Sequence, residues 1–197
     1  MELQKINVKF FTAEPNDPPL TDFIDLFHGW IQATDGIYHD VADYSHMKAG
    51  PGIVLVANDA NLSIDETDHR RGLLFSQKAR LSGSNQEKLR TVLRAALEKC
   101  RRLEAEPSLR GKLRFLGNEA LISINDRLIA QNTDDAFETV KPEIESLATT
   151  LFGSSEFILE RDRDPRKRLN IRTKASRSFE LDELVRNLSS NWKERRE

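Results

Sequence analysis

The run Ile53-Val54-Leu55-Val56-Ala57 constrains this chain more than any other stretch. Continuous apolar residues with β-branched side chains fit a strand buried on both faces, and the run is too short for a core helix. Gly50-Pro51-Gly52 ends whatever precedes it, because proline donates no ladder hydrogen bond and glycine opens the positive-φ region. Val41 to His46 form a candidate strand upstream. Downstream, Leu62 and Ile64 alternate with Ser63 and Asp65, and Leu73-Leu74-Phe75 follow the polar stretch Glu66 to Gly72. Asn58-Asp59-Ala60-Asn61 supplies the turn. The expectation is a meander of three or four antiparallel strands.

An antiparallel meander sets the start of one strand beside the end of the next. His39 and Asp40 are therefore expected near Asn58 and Asp59 at one end, and His46 near Asp68 and His69 at the other. Extended chain between His39 and His46 spans roughly 23 Å, so the two should not share a metal ion. A helix would instead line up His39, Asp43 and His46 on one face. Asp40, Val41 and Tyr44 fit a helical core stripe badly, which favours the strand.

The remaining elements follow from periodicity and punctuation. Ile6, Val8 and Phe10 alternate in a first strand, with Phe11 on the opposite face. Pro15, Pro18 and Pro19 make a rigid connection. Thr21 is a candidate N-cap for a helix over 22–32, with Phe23, Ile24, Phe27, Trp30 and Ile31 as its apolar face. Ser84 and Glu87 make a capping box before a long helix carrying Leu89, Val92, Leu93, Ala96, Leu97, Cys100 and Leu103, stopped at Pro107. Lys112–Leu116 and Leu121–Ile124 read as two strands joined by a turn at Gly117-Asn118-Glu119. Thr133 or Asn132 caps a helix to about Phe152, with a kink or fresh start at Pro142 and a C-cap at Gly153. Glu156–Arg161 and Arg168–Thr173 make a last hairpin. After Ser178, the residues Phe179, Leu181, Leu184, Val185, Leu188 and Trp192 mark an amphipathic helix.

This order implies an α+β fold, a mostly antiparallel sheet with helices packed against it. The chain divides as one α+β domain over 1–173 and a C-terminal helical appendage over 174–197. The appendage either packs back on its domain or docks on another chain; packing or exchange within a homodimer is favoured.

Composition narrows the function classes. The single cysteine, Cys100, lies on an apolar stripe and excludes an intramolecular disulfide and a cysteine-rich zinc site. No stretch of 18 apolar residues and no basic-then-apolar leader appears, so a soluble cytoplasmic protein without membrane contact is expected. The net charge is −2, yet Glu14 to Asp68 carry eleven acidic residues against one basic residue. Between Arg161 and Arg177 stand eight basic residues against two acidic, including Arg161, Arg163, Arg166, Lys167, Arg168 and Arg172. Edge-strand protection is the favoured reading of that patch, over nucleic-acid contact, because no aromatic residue interleaves the cations.

No GxGxxG, GxxxxGKS/T, HExxH, GxSxG or CxxC is present. The constellation with chemical content is His39, Asp40, Asn58 and Asp59. A histidine beside a carboxylate suits a general base, and the set also suits a divalent cation. The competing explanation is turn chemistry, since Asn and Asp side chains bond the nearby backbone. Tyr44, Asn125, Asp126 and Arg127 are further polar candidates. No metal site and no cofactor is assigned.

The segment DVADYSHMKAGPG, with GLLF downstream, resembles an uncharacterised bacterial protein family that shares a DVADYSHxxxGPG-type pattern and has no known activity. The resemblance implies a bacterial, cytoplasmic origin and transfers no site residue. Three functions stand from the residues themselves. The first is a non-enzymatic binding or interaction protein that self-associates, with a protein partner at the C-terminal helix as a variant. The second is a small hydrolase using His39 with Asp40, Asn58 or Asp59, with or without a divalent metal. The third is nucleic-acid binding through residues 161–177.

Overall fold

A computed structural model describes residues 1–13, 18–153 and 155–190. Eight strands form one antiparallel sheet: β1 (Ile6–Thr12), β2 (Tyr38–Tyr44), β3 (Gly52–Ala57), β4 (Ala60–Asp65), β5 (Gly72–Gln77), β6 (Phe115–Ile124), β7 (Phe157–Arg161) and β8 (Leu169–Ala175). Their order across the sheet is β2-β3-β4-β5-β1-β6-β8-β7. Among the described residues, four α-helices, α1 (Asp22–Ala33), α2 (Asn85–Ala105), α3 (Asp134–Phe152) and α4 (Leu181–Ser190), complete the fold.

The meander is the β2-β3-β4-β5 half of the sheet. Leu55 sits between Val41 and Leu62, and Ile64 pairs with Leu73. β1, made first, is slotted between β5 and β6, with Val8 flanked by Phe75 and Ile122. Period-two alternation therefore propagates across the whole sheet. Ile6, Val8 and Phe10 join Ile53, Leu55, Leu62, Ile64, Leu73, Ile122 and Ile171 in one core with the buried residues of all four helices. Asn7, Lys9 and Phe11 point to the other face, on which no helix packs among the described residues.

The long helix starts as its sequence demands. Ser84 Oγ accepts from the Glu87 N–H at 3.3 Å, and Glu87 Oε2 accepts from the Ser84 N–H at 2.8 Å. Its stripe from Leu89 to Leu103 is buried, Cys100 included, and burial pushes the Cys100 thiol well up. α1 docks at the end of α2, where Trp30 Nε1 donates to Glu106 Oε1 at 2.6 Å and the Arg102 guanidinium lies 3.7 Å from the Trp30 ring centroid. Thr21 takes helical dihedrals and makes no side-chain cap bond, unlike the expected N-cap. Thr133 does cap α3, accepting from the Ala136 N–H at 3.2 Å, and the helix runs through Pro142 to Phe152.

The two strands expected around Gly117 are one ten-residue strand. Gly117 serves a close approach rather than a turn: a Cβ there would stand 1.7 Å from the Phe179 carbonyl oxygen. That crossing brings in α4. Phe179, Leu181, Leu184 and Leu188 are buried in the common core, the Phe179 ring lies 5.5 Å from that of Phe152, and Asn187 Nδ2 donates to Leu151 O at 2.9 Å. Residues 174–190 thus pack on their own chain; Trp192 and Pro15 lie outside the described residues. Arg172 and Lys174 lie on β8, which is interior between β6 and β7, so they do not shield an edge; β2 and β7 are the edges, and Arg161 ends β7.

Candidate functional site

The helix-free face of the sheet carries the site. In-register pairs align its side chains in rows across the strands. Ser76, Asn7, Ser123 and Asn170 form one row over β5, β1, β6 and β8. Leu74, Lys9, Leu121 and Arg172 form the next. Glu119 and Lys174 pair on the rung beyond it. Isolated charges would be expelled from such a floor, and those present are paired. Lys9 Nζ donates to Asp65 Oδ1 at 2.5 Å and to Thr67 O at 3.3 Å, with both side chains of the ion pair under 5% exposed. Asp65 also accepts from the Thr67 N–H and hydroxyl, at 3.2 and 2.8 Å. Burial lowers the Lys9 ammonium below the ordinary lysine range, against the opposing pull of Asp65.

Glu119 anchors the other side. Arg70 grips it through two hydrogen bonds of 2.6 and 3.1 Å, and Arg172 approaches to 3.4 Å. Burial alone would raise the Glu119 carboxyl; the Arg70 bonds and the charges of Arg70, Arg172 and Lys174 outweigh it and lower the group. The Arg70 guanidinium is stacked 3.9 Å from the centroid of the Phe11 ring, the one aromatic ring lining the cavity among the described residues.

Two loops arch over this floor. The short turn Thr67–His69, with Asp68 and His69 at φ of 60° and 57°, comes from between β4 and β5. The β7–β8 connection comes from the other side. Lys167 joins them, 3.1 Å from Asp68 and 2.8 Å from Asp162, and these bonds raise its ammonium. Arg166 is turned onto Asp164 at 2.9 Å, which lowers that half-buried carboxyl to about 2. Beneath the arch lies a cavity of about 400 Å³. Its lining includes Lys9, Arg70, Arg127, Arg166, Lys167, Arg168 and Arg172 against Asp65 and Asp68. Counting the carboxylates that reach these cations from behind, Glu119, Asp162 and Asp164, an excess of two positive charges is left. Arg127 and Arg168 are the cations without a carboxylate within 4.0 Å among the described residues. Arg127 instead donates from Nη2 to Arg166 O at 2.5 Å.

The expected candidates divide. His39, Asp40, Asn58 and Asp59 are brought to one end of the β2–β3–β4 meander, as the topology required. All four are exposed and share no hydrogen bond; Asp40 Oδ1 accepts from the Val41 N–H at 2.8 Å, and the Asp59 carbonyl accepts from Lys78 and Ala79. Tyr44 ends β2, and Asp126 closes a local turn through Leu128, Ile129 and Ala130. The basic segment splits in two. Arg166, Lys167, Arg168 and Arg172 face the cavity, while Arg161 and Arg163 line a separate hollow beside α3. There Arg161 ion-pairs with Asp134 and donates from Nη1 to Asn132 Oδ1 at 3.0 Å, tying β7 to the start of α3.

Asn7, Lys9, Asp65, Arg70, Glu119, Ser123 and Asn170 went unmarked in the sequence. Their signal was the polar half of each alternating strand, already visible as Asn7 and Lys9 in INVKFF. Among the described residues, no three His, Cys, Asp or Glu side chains gather as a metal site, and no helix is long and apolar enough to cross a membrane. No protein-family model, curated protein or solved structure matches the chain.

Proposed function

We propose that this is a non-enzymatic binding protein that holds a small anionic ligand on the open face of its sheet. The carrying observation is the cavity's surplus of cations, above all Arg127 and Arg168, which keep their donors free of carboxylates. Guanidinium forks match phosphate and carboxylate oxygens two at a time. A cavity of about 400 Å³ lies in the range of single small-molecule sites.

The other readings draw less support. A hydrolase centred on His39 needs an orienting partner in hydrogen-bond reach, and its four side chains are exposed and share no hydrogen bond. Base stacking needs open aromatic faces, and Phe11, the one ring lining the cavity among the described residues, already has Arg70 stacked on it. Self-association is kept as a secondary proposal, resting on the two edge strands β2 and β7. The apolar stripe of α4 no longer argues for it, being covered by α2 and α3.

Isothermal titration with inorganic phosphate at low salt tests the main reading. Binding is expected, weakened about tenfold by Arg168→Ala and again by Arg127→Ala, since a hydrogen bond to a charged group contributes about 1.5–3 kcal/mol. No heat at millimolar phosphate, or full affinity in the double variant, refutes it.

A further inference from the structure

We infer that the ligand is a phosphorylated sugar or polyol, its phosphate on Arg127 and Arg168 and its hydroxyls on the Asn7 row. This rests on the preceding reading of the cavity as an anion site and adds the identity of the rest of the ligand.

The placement of the two arginines comes from the ladder. Ile124, the last residue of β6, pairs with Leu169, the first of β8. Arg127 follows that rung on one strand and Arg168 precedes it on the other, so the two guanidiniums rise at the same end of the cavity. Both residues line the cavity, and the Arg127 bond to the Arg166 carbonyl holds its guanidinium against the segment that leads into Arg168. The next rung inward is Ser123 and Asn170, and the strand after that contributes Asn7 opposite Ser123. All three line the cavity and all are uncharged hydrogen-bonding groups. Two residues of strand separate Arg168 from Asn170, roughly 7 Å. A phosphate at one end with hydroxyls a few bonds away spans that distance.

Asn7 supplies the independent observation. It is 3% exposed, and its Oδ1 has no hydrogen-bond partner, the one such buried side-chain atom among the described residues. A buried acceptor without a donor is a standing penalty that folded chains avoid. Asn7 is among the residues that line the cavity, and the group its Oδ1 lacks is a donor. A phosphate alone brings mostly acceptors; a hydroxyl brings the hydrogen that Oδ1 lacks. The same argument disfavours a nucleotide, whose base would find no free ring to stack on, because Arg70 occupies the face of Phe11.

The test is a titration series on the full chain with inorganic phosphate, glucose, glucose phosphorylated on its primary hydroxyl, and adenosine monophosphate. Glucose phosphate is expected to bind about tenfold more tightly than inorganic phosphate, the gain of one or two neutral hydrogen bonds, and glucose not at all. Asn7→Leu is expected to remove that preference and leave phosphate affinity within about twofold, since Asn7 does not touch the anion. Ser123→Ala, a smaller change, is expected to reduce the preference about threefold and guards against a misfolded Asn7 variant. Equal affinity for glucose phosphate and phosphate overturns the inference while leaving the anion site standing. Tighter binding of adenosine monophosphate also overturns it. Loss of all binding, phosphate included, overturns the preceding reading instead.

Discussion

Replacing Lys9 by Met strips the floor of the cavity of its central cation and leaves the Asp65 carboxylate 4% exposed. Removing one member of a buried ion pair destabilises by about 3–5 kcal/mol, because the remaining charge is held away from water. Asp65 keeps the two donors of Thr67, its N–H and hydroxyl, which places Lys9→Met near the lower end, about 3 kcal/mol. For a chain of this size that corresponds to a fall in Tm of roughly 6–12 °C. Lys9→Met/Asp65→Asn should recover most of the loss, to within about 1 kcal/mol of the parent, since the neutral amide still accepts from Thr67. Urea unfolding followed by circular dichroism measures both. A single variant as stable as the parent, or a double variant no better than the single, refutes the claim that the pair is desolvated and mutually dependent.

Two further predictions rest on geometry already described. Gly117→Ala pushes a methyl to 1.7 Å from the Phe179 carbonyl, and overpacking of this kind costs about 1–3 kcal/mol. Thermal unfolding should show the loss, and limited proteolysis should cut near Phe179 in the variant alone; an unchanged digestion pattern counts against the crossing. Glu119, held below its ordinary carboxyl value of 4.5, contributes stability that is present above that pH and is lost as pH falls through the lowered value. Glu119→Gln should therefore be less stable than the parent at neutral pH and converge with it in acid; parallel Tm curves from neutral pH down into acid would contradict this.

What was legible in the sequence was what local rules govern. Ile53–Ala57 announced an interior strand because its apolar run and the Gly-Pro-Gly before it need no distant partner to be read. The Ser84/Glu87 capping box likewise closes within four residues. Gly117 was misread because its cause is remote: the Phe179 backbone crosses it from 62 residues further on. Thr21 failed as a cap because the backbone at Thr21 is already helical. The cavity was hidden for a related reason. Asn7, Ser123 and Asn170 become neighbours through a strand order that brings β1 between β5 and β6, and nothing in their own segments states that order. The His39–Asp59 end was located correctly as a place, but an end of a meander is usually open to solvent.

The position of β1 has a kinetic consequence. Val8 leaves the ribosome early, yet its ladder partners Phe75 and Ile122 are made much later. Until residue 124 has emerged, β1 lacks one neighbour and the arginine-bearing strand beyond β6 has nothing to join. Loop closure over such separations slows folding. The β2–β5 meander, whose pairings are all short-range, is the natural seed, and the cavity is complete only once β8 has joined β6. A ligand that spans β1, β6 and β8 would therefore hasten no early step but would hold the finished sheet closed against unzipping from its β7 side.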